Sequence, residues 1–294
     1  MSIVDRGSGP PLVLVPGIQG PWEYLRPAVE SLSACFRVLT FPLCGERHSG
    51  RVLDPALGLD NYTAQISAVL ASRGLARAVI CGVSFGGLVA LRFAAANPAA
   101  TDALVLASTP GPDYRLSRRH EIYARAPWLC GPLFLAETPW RLRAELRRTF
   151  PDAHGRLTFS LAGLRTLIAA PISLPRFAAR ARLLPAGNRR ADCARISAPT
   201  LVVIGERELD RVVPVEGSRE YARLIRDARL AILEDTGHLG TITRPDAFAA
   251  LVRDFVRARV TGDRSTLVPG VSKDELAGQA CRDEARSAIH GRVA

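Results

Sequence analysis

The sequence predicts an α/β fold, an open and mostly parallel, doubly wound sheet with helices on both faces. Three observations carry this. Short runs of β-branched residues and leucine recur along the chain without polar alternation, as strands buried on both faces require. Most of these runs stop at Pro or Gly. Helix-length segments separate successive runs, the alternation that builds a parallel sheet through crossover connections. With 294 residues, 48% of them hydrophobic, the chain can bury one large domain of this kind, or such a domain carrying an insertion.

The expected strands are Leu12 to Val15, Arg37 to Phe41, Ala78 to Cys81, Ala103 to Ala107, Thr200 to Ile204 and Leu230 to Leu233. The segments between them fit helices at about Tyr24 to Ser33, Asn61 to Arg73, Gly86 to Asn97, Val215 to Arg226 and Pro245 to Arg259. Residues 110–195 break the rhythm. They contain no buried strand pattern and eight prolines from Pro112 to Pro185, which predicts short helices broken by Pro and Gly, inserted between two halves of the sheet. Sixteen arginines against six carboxylates in this insertion leave +10, nearly the whole charge excess of the chain. From about Thr261 the sequence turns polar and Gly-rich. The expected division is therefore a core of residues 1–109 and 196–260, a helical insertion at 110–195 and a polar tail at 261–294.

Composition excludes several classes. The net charge of +11 raises the question of nucleic acid. However, Lys273 is the only lysine, so 38 of the 39 basic residues are arginine, a skew that reads as genome composition. Aromatic residues make up 6% and do not alternate with arginines as stacking platforms would, so no nucleic-acid partner is expected. No apolar run approaches the roughly 18 residues of a membrane span. Met1-Ser2-Ile3-Val4-Asp5-Arg6 lacks the basic start and apolar stretch of a signal peptide, so the default location is the cytoplasm. Six scattered cysteines without Cys-x-x-Cys spacing suggest free thiols rather than a zinc or redox site, and no metal or organic cofactor is implied.

The sharpest motif is Gly82-Val83-Ser84-Phe85-Gly86-Gly87, directly after one predicted strand and directly before a helix. A serine raised on a strand-to-helix turn this tight adopts a strained backbone, and side chains two positions away on either side would collide, so glycine is favoured there. The turn presents the hydroxyl at a helix N-terminus, where developing negative charge is stabilised. Ser84 is thus the candidate nucleophile, and a serine needs a base. Of five histidines only His238, on a loop between a late strand and the last helix, lies where a base is expected. His48 could line a pocket but reads as a loop residue, and His120, His154 and His290 read as exposed or structural.

The base in turn needs a carboxylate to fix its tautomer. Asp210, in the loop after Thr200 to Ile204, is the first choice because Val212-Val213-Pro214 then leads into a helix. Glu208 stays a competitor, and Asp235 sits too close in sequence to His238. The N–H of Phe85 supplies one oxyanion donor. The loop Pro16-Gly17-Ile18-Gln19-Gly20 supplies the other, with Ile18 ahead of Gln19, and Gly17 and Gln19 border the substrate.

These motifs resemble the α/β-hydrolase fold, in the branch with a helical cap inserted late in the sheet. The resemblance covers about residues 10–260, and the order Ser84, Asp210, His238 matches the family's nucleophile–acid–histidine order. Departures occur at Pro16, where the family often has histidine, at Pro42, where many members have aspartate, and in the long Gly205 to Asp210 loop. The resemblance implies hydrolysis of a small ester, thioester or lactone through an acyl-enzyme. The same residues could serve carbon–carbon bond hydrolysis, acyl transfer or cofactor-free peroxidation, and a non-catalytic binding protein on this scaffold is the third reading. The arginine-rich cap suggests recruitment of an anionic acyl substrate, weighed against plain solvated helix faces.

Overall fold

The computed structural model describes residues 1–261. The residues expected to form the rest of the polar tail lie outside them. Seven strands make one sheet: β1 (Val4–Arg6), β2 (Pro11–Val15), β3 (Arg37–Thr40), β4 (Ala78–Val83), β5 (Thr101–Ala107), β6 (Thr200–Ile204) and β7 (Ala228–Ile232), in the order β1-β3-β2-β4-β5-β6-β7. From β3 across to β7 every neighbouring pair is parallel. β1 alone runs antiparallel, with Val4 opposite Thr40 and Arg6 opposite Val38. It is one strand more than the hydrophobic pattern announces. Its burial is slight, and charge helps to hold it: the Asp5 carboxylate accepts from Arg37 Nη2 at 2.8 Å and from Arg73 Nε at 2.9 Å.

The unalternated apolar runs are explained by burial on both faces. Val13, Val15, Leu39, Ile80, Leu104 and Leu106 pack beneath α2 (Asp60–Ser72), α3 (Phe85–Ala96) and α9 (Val215–Leu224). The alternate residues Leu12, Leu14, Val38, Val79 and Val105 pack against α1 (Arg26–Leu32) and α11 (Pro245–Thr261). Each such side chain contributes about 1.5–3 kcal/mol on burial. A short α10 (Gly240–Thr243) precedes α11.

Between β5 and β6 lie α4 (Arg118–Arg125), α5 (Pro127–Thr149), α6 (Ala153–Ala169), α7 (Leu174–Leu183) and α8 (Arg189–Arg195). Three start on capping side chains: Ser117, Asp152 and Asn188 accept from the N–H groups of His120, Gly155 and Ala191. The expectation of short proline-broken helices fails at α5, which continues through Pro132 and Pro139. Each proline deprives the carbonyl four residues earlier, at Trp128 and Leu135, of its helical partner. Trp128 is strongly exposed and Leu135 half-buried, so those carbonyls do not lie in a closed core.

The topology places the site. From β2 the chain goes to β3 on one side and then returns to β4 on the other. The loops leaving the carboxyl ends of β2 and β4 therefore part at a switch point, where an open α/β sheet forms its crevice.

Candidate active site

Ser84 follows β4 and precedes α3 with φ 54° and ψ −117°, a left-handed conformation for a residue with a side chain. Such strain costs about 1–3 kcal/mol and persists only where the surroundings over-determine it. The surroundings are tight. A Cβ at Gly82 would collide with the Gly86 backbone, one at Gly86 with the carbonyls of Val15 and Pro16, and one at Gly87 with the Thr109 side chain. The turn is tied to the sheet by the Ser84 N–H, which donates to the Ala107 carbonyl at 2.8 Å. Ser84 itself stays partly exposed.

The loops after β6 and β7 interlock beside it. Glu206 N–H donates to the Thr236 carbonyl at 2.7 Å, and Asp235 N–H donates to Glu206 Oε1 at 2.7 Å. Gly205 abuts Gly237, and Gly237 abuts Leu209, so closely that neither glycine has room for a Cβ. This packing brings three distant residues together. His238 Nε2 is 3.2 Å from Ser84 Oγ, and His238 Nδ1 is 3.4 Å from Asp210 Oδ2. Asp210 Oδ1 accepts the N–H groups of Val212 and Val213, both at 2.9 Å, which aims its other oxygen at the imidazole. Burial raises the Asp210 carboxyl, but the adjacent His238 and the two backbone donors outweigh it and hold the group below the usual carboxylate range. Burial lowers the imidazole, but Asp210, with a smaller contribution from Glu145, raises it above the ordinary histidine value. Glu208 is exposed and takes no part in this array. Asp235 turns elsewhere, accepting from Arg244 Nη2 at 3.0 Å and Arg148 Nε at 2.6 Å.

The loop after β2 lies opposite. Its turn closes through Gly20 N–H to the Gly17 carbonyl at 3.1 Å. A Cβ on Gly17 would sit 2.9 Å from Gln19 Oε1 and 3.8 Å from Ser84 Cβ, so Gly17 borders the serine and the Gln19 carboxamide lies against Gly17. Phe85 is the first residue of α3, where the N–H has no partner within the helix.

A comparison with known proteins decides the affiliation. The sequence profile of a family described as "Alpha/beta hydrolase family" matches residues 12–251. The chain belongs to the alpha/beta hydrolase family. Within this family it is 27% identical over 256 residues to a protein named as a carbamate hydrolase, RutD, of Agrobacterium fabrum, covering 84% of this chain and 93% of the relative. It is 28% identical over 268 residues to 2-hydroxymuconate semialdehyde hydrolase of Pseudomonas sp., covering 86% and 88%. In fold it is similar to an enol-lactonase from Burkholderia xenovorans, with a TM-score of 0.70, 24% identity, and 87% and 96% of the two chains covered.

Two parts of this alpha/beta hydrolase site were invisible in the sequence. Arg180 of α7 is 1% exposed and donates to the carbonyls of Ile18 and Gln19, both at 3.2 Å, to Cys44 at 3.1 Å and to Glu46 Oε1 at 2.7 Å. It thereby grips the loop after β2 from behind. Glu145 of α5 is wholly buried against the His238 loop. Both sit in arginine-rich runs that read as solvated helix faces, and nothing in their spacing sets them apart. His48 is exposed, and His120 is held between Ser117 and Arg141. Among the described residues no group of three His, Cys, Asp or Glu could hold a metal, and no single helix is long and apolar enough to cross a membrane.

Proposed function

We propose that the protein is a serine hydrolase that cleaves a small ester, thioester or lactone through an acyl-enzyme on Ser84. The observation that carries this is the continuous Ser84–His238–Asp210 contact chain, 3.2 Å and 3.4 Å long at its two links, at the switch point of the sheet. In this reading residues 1–109 and 196–260 form the hydrolase core, and 110–195 form a cap over it.

The chemistry follows from the placement. His238 Nε2 takes the hydroxyl proton as Ser84 Oγ attacks the acyl carbon. The Asp210 carboxylate keeps the Nδ1 proton in place and stabilises the imidazolium. The negative oxygen of the tetrahedral intermediate is held by the N–H groups of Phe85 and Ile18, with Gly17 and the Gln19 carboxamide beside the leaving group. The intermediate collapses as His238 returns its proton to the departing alcohol, thiol or ring oxygen. Water, deprotonated by the same imidazole, then releases the acid and restores Ser84. Resemblance to carbamate hydrolases widens the acyl class to include carbamates.

Electrostatic recruitment of an anionic substrate has weaker support. At least nine of the sixteen cap arginines bond within the protein: Arg119 and Arg141 to Glu137, Arg148 to Asp235, Arg176 and Arg180 to Glu46, Arg190 to Asp113, and Arg156, Arg182 and Arg189 to backbone carbonyls. Six of these nine are paired with carboxylates, so part of the cap's positive charge is met within the protein.

Rapid mixing with p-nitrophenyl acetate tests the reading. A burst of p-nitrophenol with an acetyl mass increment on the intact protein is expected, and both should vanish in Ser84→Ala. Steady turnover by Ser84→Ala at the wild-type rate would refute the acyl-enzyme.

A further inference from the structure

Next to the reacting residues lies a carboxylate that the proposed chemistry does not use. Glu145 occupies the second half of α5 and is 0% exposed, while its helix neighbours Arg143, Arg147 and Arg148 face solvent. Its two oxygens accept the N–H of Leu239 at 2.9 and 3.1 Å. Leu239 directly follows His238, so this buried acid holds the backbone amide next to the base.

The same stretch of α5 is fastened to the same loop a turn later. Thr149 Oγ1 donates to the Asp235 carbonyl at 2.8 Å, and Arg148 Nε pairs with the Asp235 carboxylate at 2.6 Å. Residues 145–149 of the cap therefore hold the loop 235–239 of the core at both ends. A carboxyl group in this place is costly. Burial pushes Glu145 up to about 7, against the opposing pull of the nearby Gly237 and Leu239 backbone and of His238. An aliphatic side chain would fill the space without that burden, but it would leave the Leu239 amide without its acceptor.

We propose that Glu145 is a positioning residue for the base, holding the peptide that follows His238 so that the imidazole meets Ser84 only when α5 is seated on the core. Seating of the cap and assembly of the nucleophile–base pair are then one event. This inference rests on the roles given to Ser84 and His238 above. The charged and titratable groups around the contact are His238 and Asp235 on the loop itself, Asp210 and Glu206 after β6, Arg148 on α5, Arg244 before α11, and Tyr114 ahead of α4 within electrostatic reach of Asp210.

The test is the pH dependence of kcat and kcat/KM for p-nitrophenyl acetate in the full-length wild type and three variants. Glu145→Gln keeps the shape but removes the charge that helps to raise His238. Its plateau kcat should fall about tenfold to a hundredfold, as expected for a misplaced base, with KM little changed and the acid limb of kcat/KM displaced to lower pH. Glu145→Asp keeps the charge but withdraws it by one methylene, so its plateau should fall while its limb stays near that of the wild type. Glu145→Ala should lose at least as much rate as Gln. A Gln variant with wild-type plateau and wild-type limb would overturn the inference while leaving the assignment of Ser84 intact. A wild type that is neither acetylated by the ester nor able to turn it over would overturn the assignment, and the inference with it. If the Ala variant does not fold, the Gln and Asp pair carries the test.

Discussion

Arg180 Nη2 donates to Glu46 Oε1 at 2.7 Å, and the two side chains are only 1% and 5% exposed. The pair joins the cap to the loop after β3, while Nη1 of the same guanidinium reaches the Ile18 and Gln19 carbonyls. Breaking one half of a buried pair strands the other charge. Arg180→Met should therefore destabilise the protein by about 3 kcal/mol, the low end of such losses, because Arg176 still reaches Glu46 at 3.3 Å. Urea denaturation measures this. Adding Glu46→Leu to Arg180→Met should recover part of the loss. A double variant less stable than the single would contradict this account of the pair.

The elbow and the cap make opposite predictions for the same substitution. Gly86→Ala forces a Cβ into the Val15 and Pro16 carbonyls and should abolish soluble expression or activity. Gly163→Ala, in α6, meets nothing within 4 Å. It should raise stability by up to about 1 kcal/mol, through the better helix propensity of alanine. Soluble yield and p-nitrophenyl acetate turnover check the first, and a melting curve against the wild type checks the second.

Asp210 and Glu208 can be told apart by rate. Asp210→Asn withdraws the carboxylate 3.4 Å from His238 Nδ1 and should lower kcat by about 10⁴. It should also move the acid limb of kcat/KM downward, since Asp210 is what raises the imidazole against its burial. Glu208→Gln, at an exposed position, should leave both unchanged. Equal losses in the two variants would remove Asp210 from its proposed role.

Glu145 also predicts a pH dependence of stability. Its carboxyl is raised from 4.5 to about 7 by burial, so the folded state holds that proton more tightly than the unfolded chain does. The resulting stability is fully present below about 4.5 and is lost as pH climbs to about 7. Glu145→Gln has no such loss. The difference in melting temperature, variant minus wild type, should therefore rise between these limits and flatten above them.

Burial on both sides of the sheet made β2 to β7 legible, because each became a short apolar run ended by turn residues. The elbow was legible because its motif is contiguous and Gly82 is forced by Gly86 and Gly87 within it, although Gly86 and Gly87 themselves are held by Val15, Pro16 and Thr109. What escaped was whatever depends on partners far along the chain. β1 is held at the sheet edge partly by ion pairs of Asp5 with Arg37 and Arg73. α5 runs through two prolines that locally argue for breaks. Arg180 and Glu145 look like their solvated neighbours, and only tertiary packing turns them inward, one behind the loop after β2 and the other behind His238.

In the proposed reaction Ser84 is the residue activated by His238. Incubation of the full-length protein with a fluorophosphonate, followed by peptide mapping, tests it most directly. One adduct is expected, on the peptide containing Ser84, lost in Ser84→Ala and strongly slowed in His238→Ala. An adduct on another residue, or labelling of the Ser84→Ala variant at the wild-type rate, would contradict it.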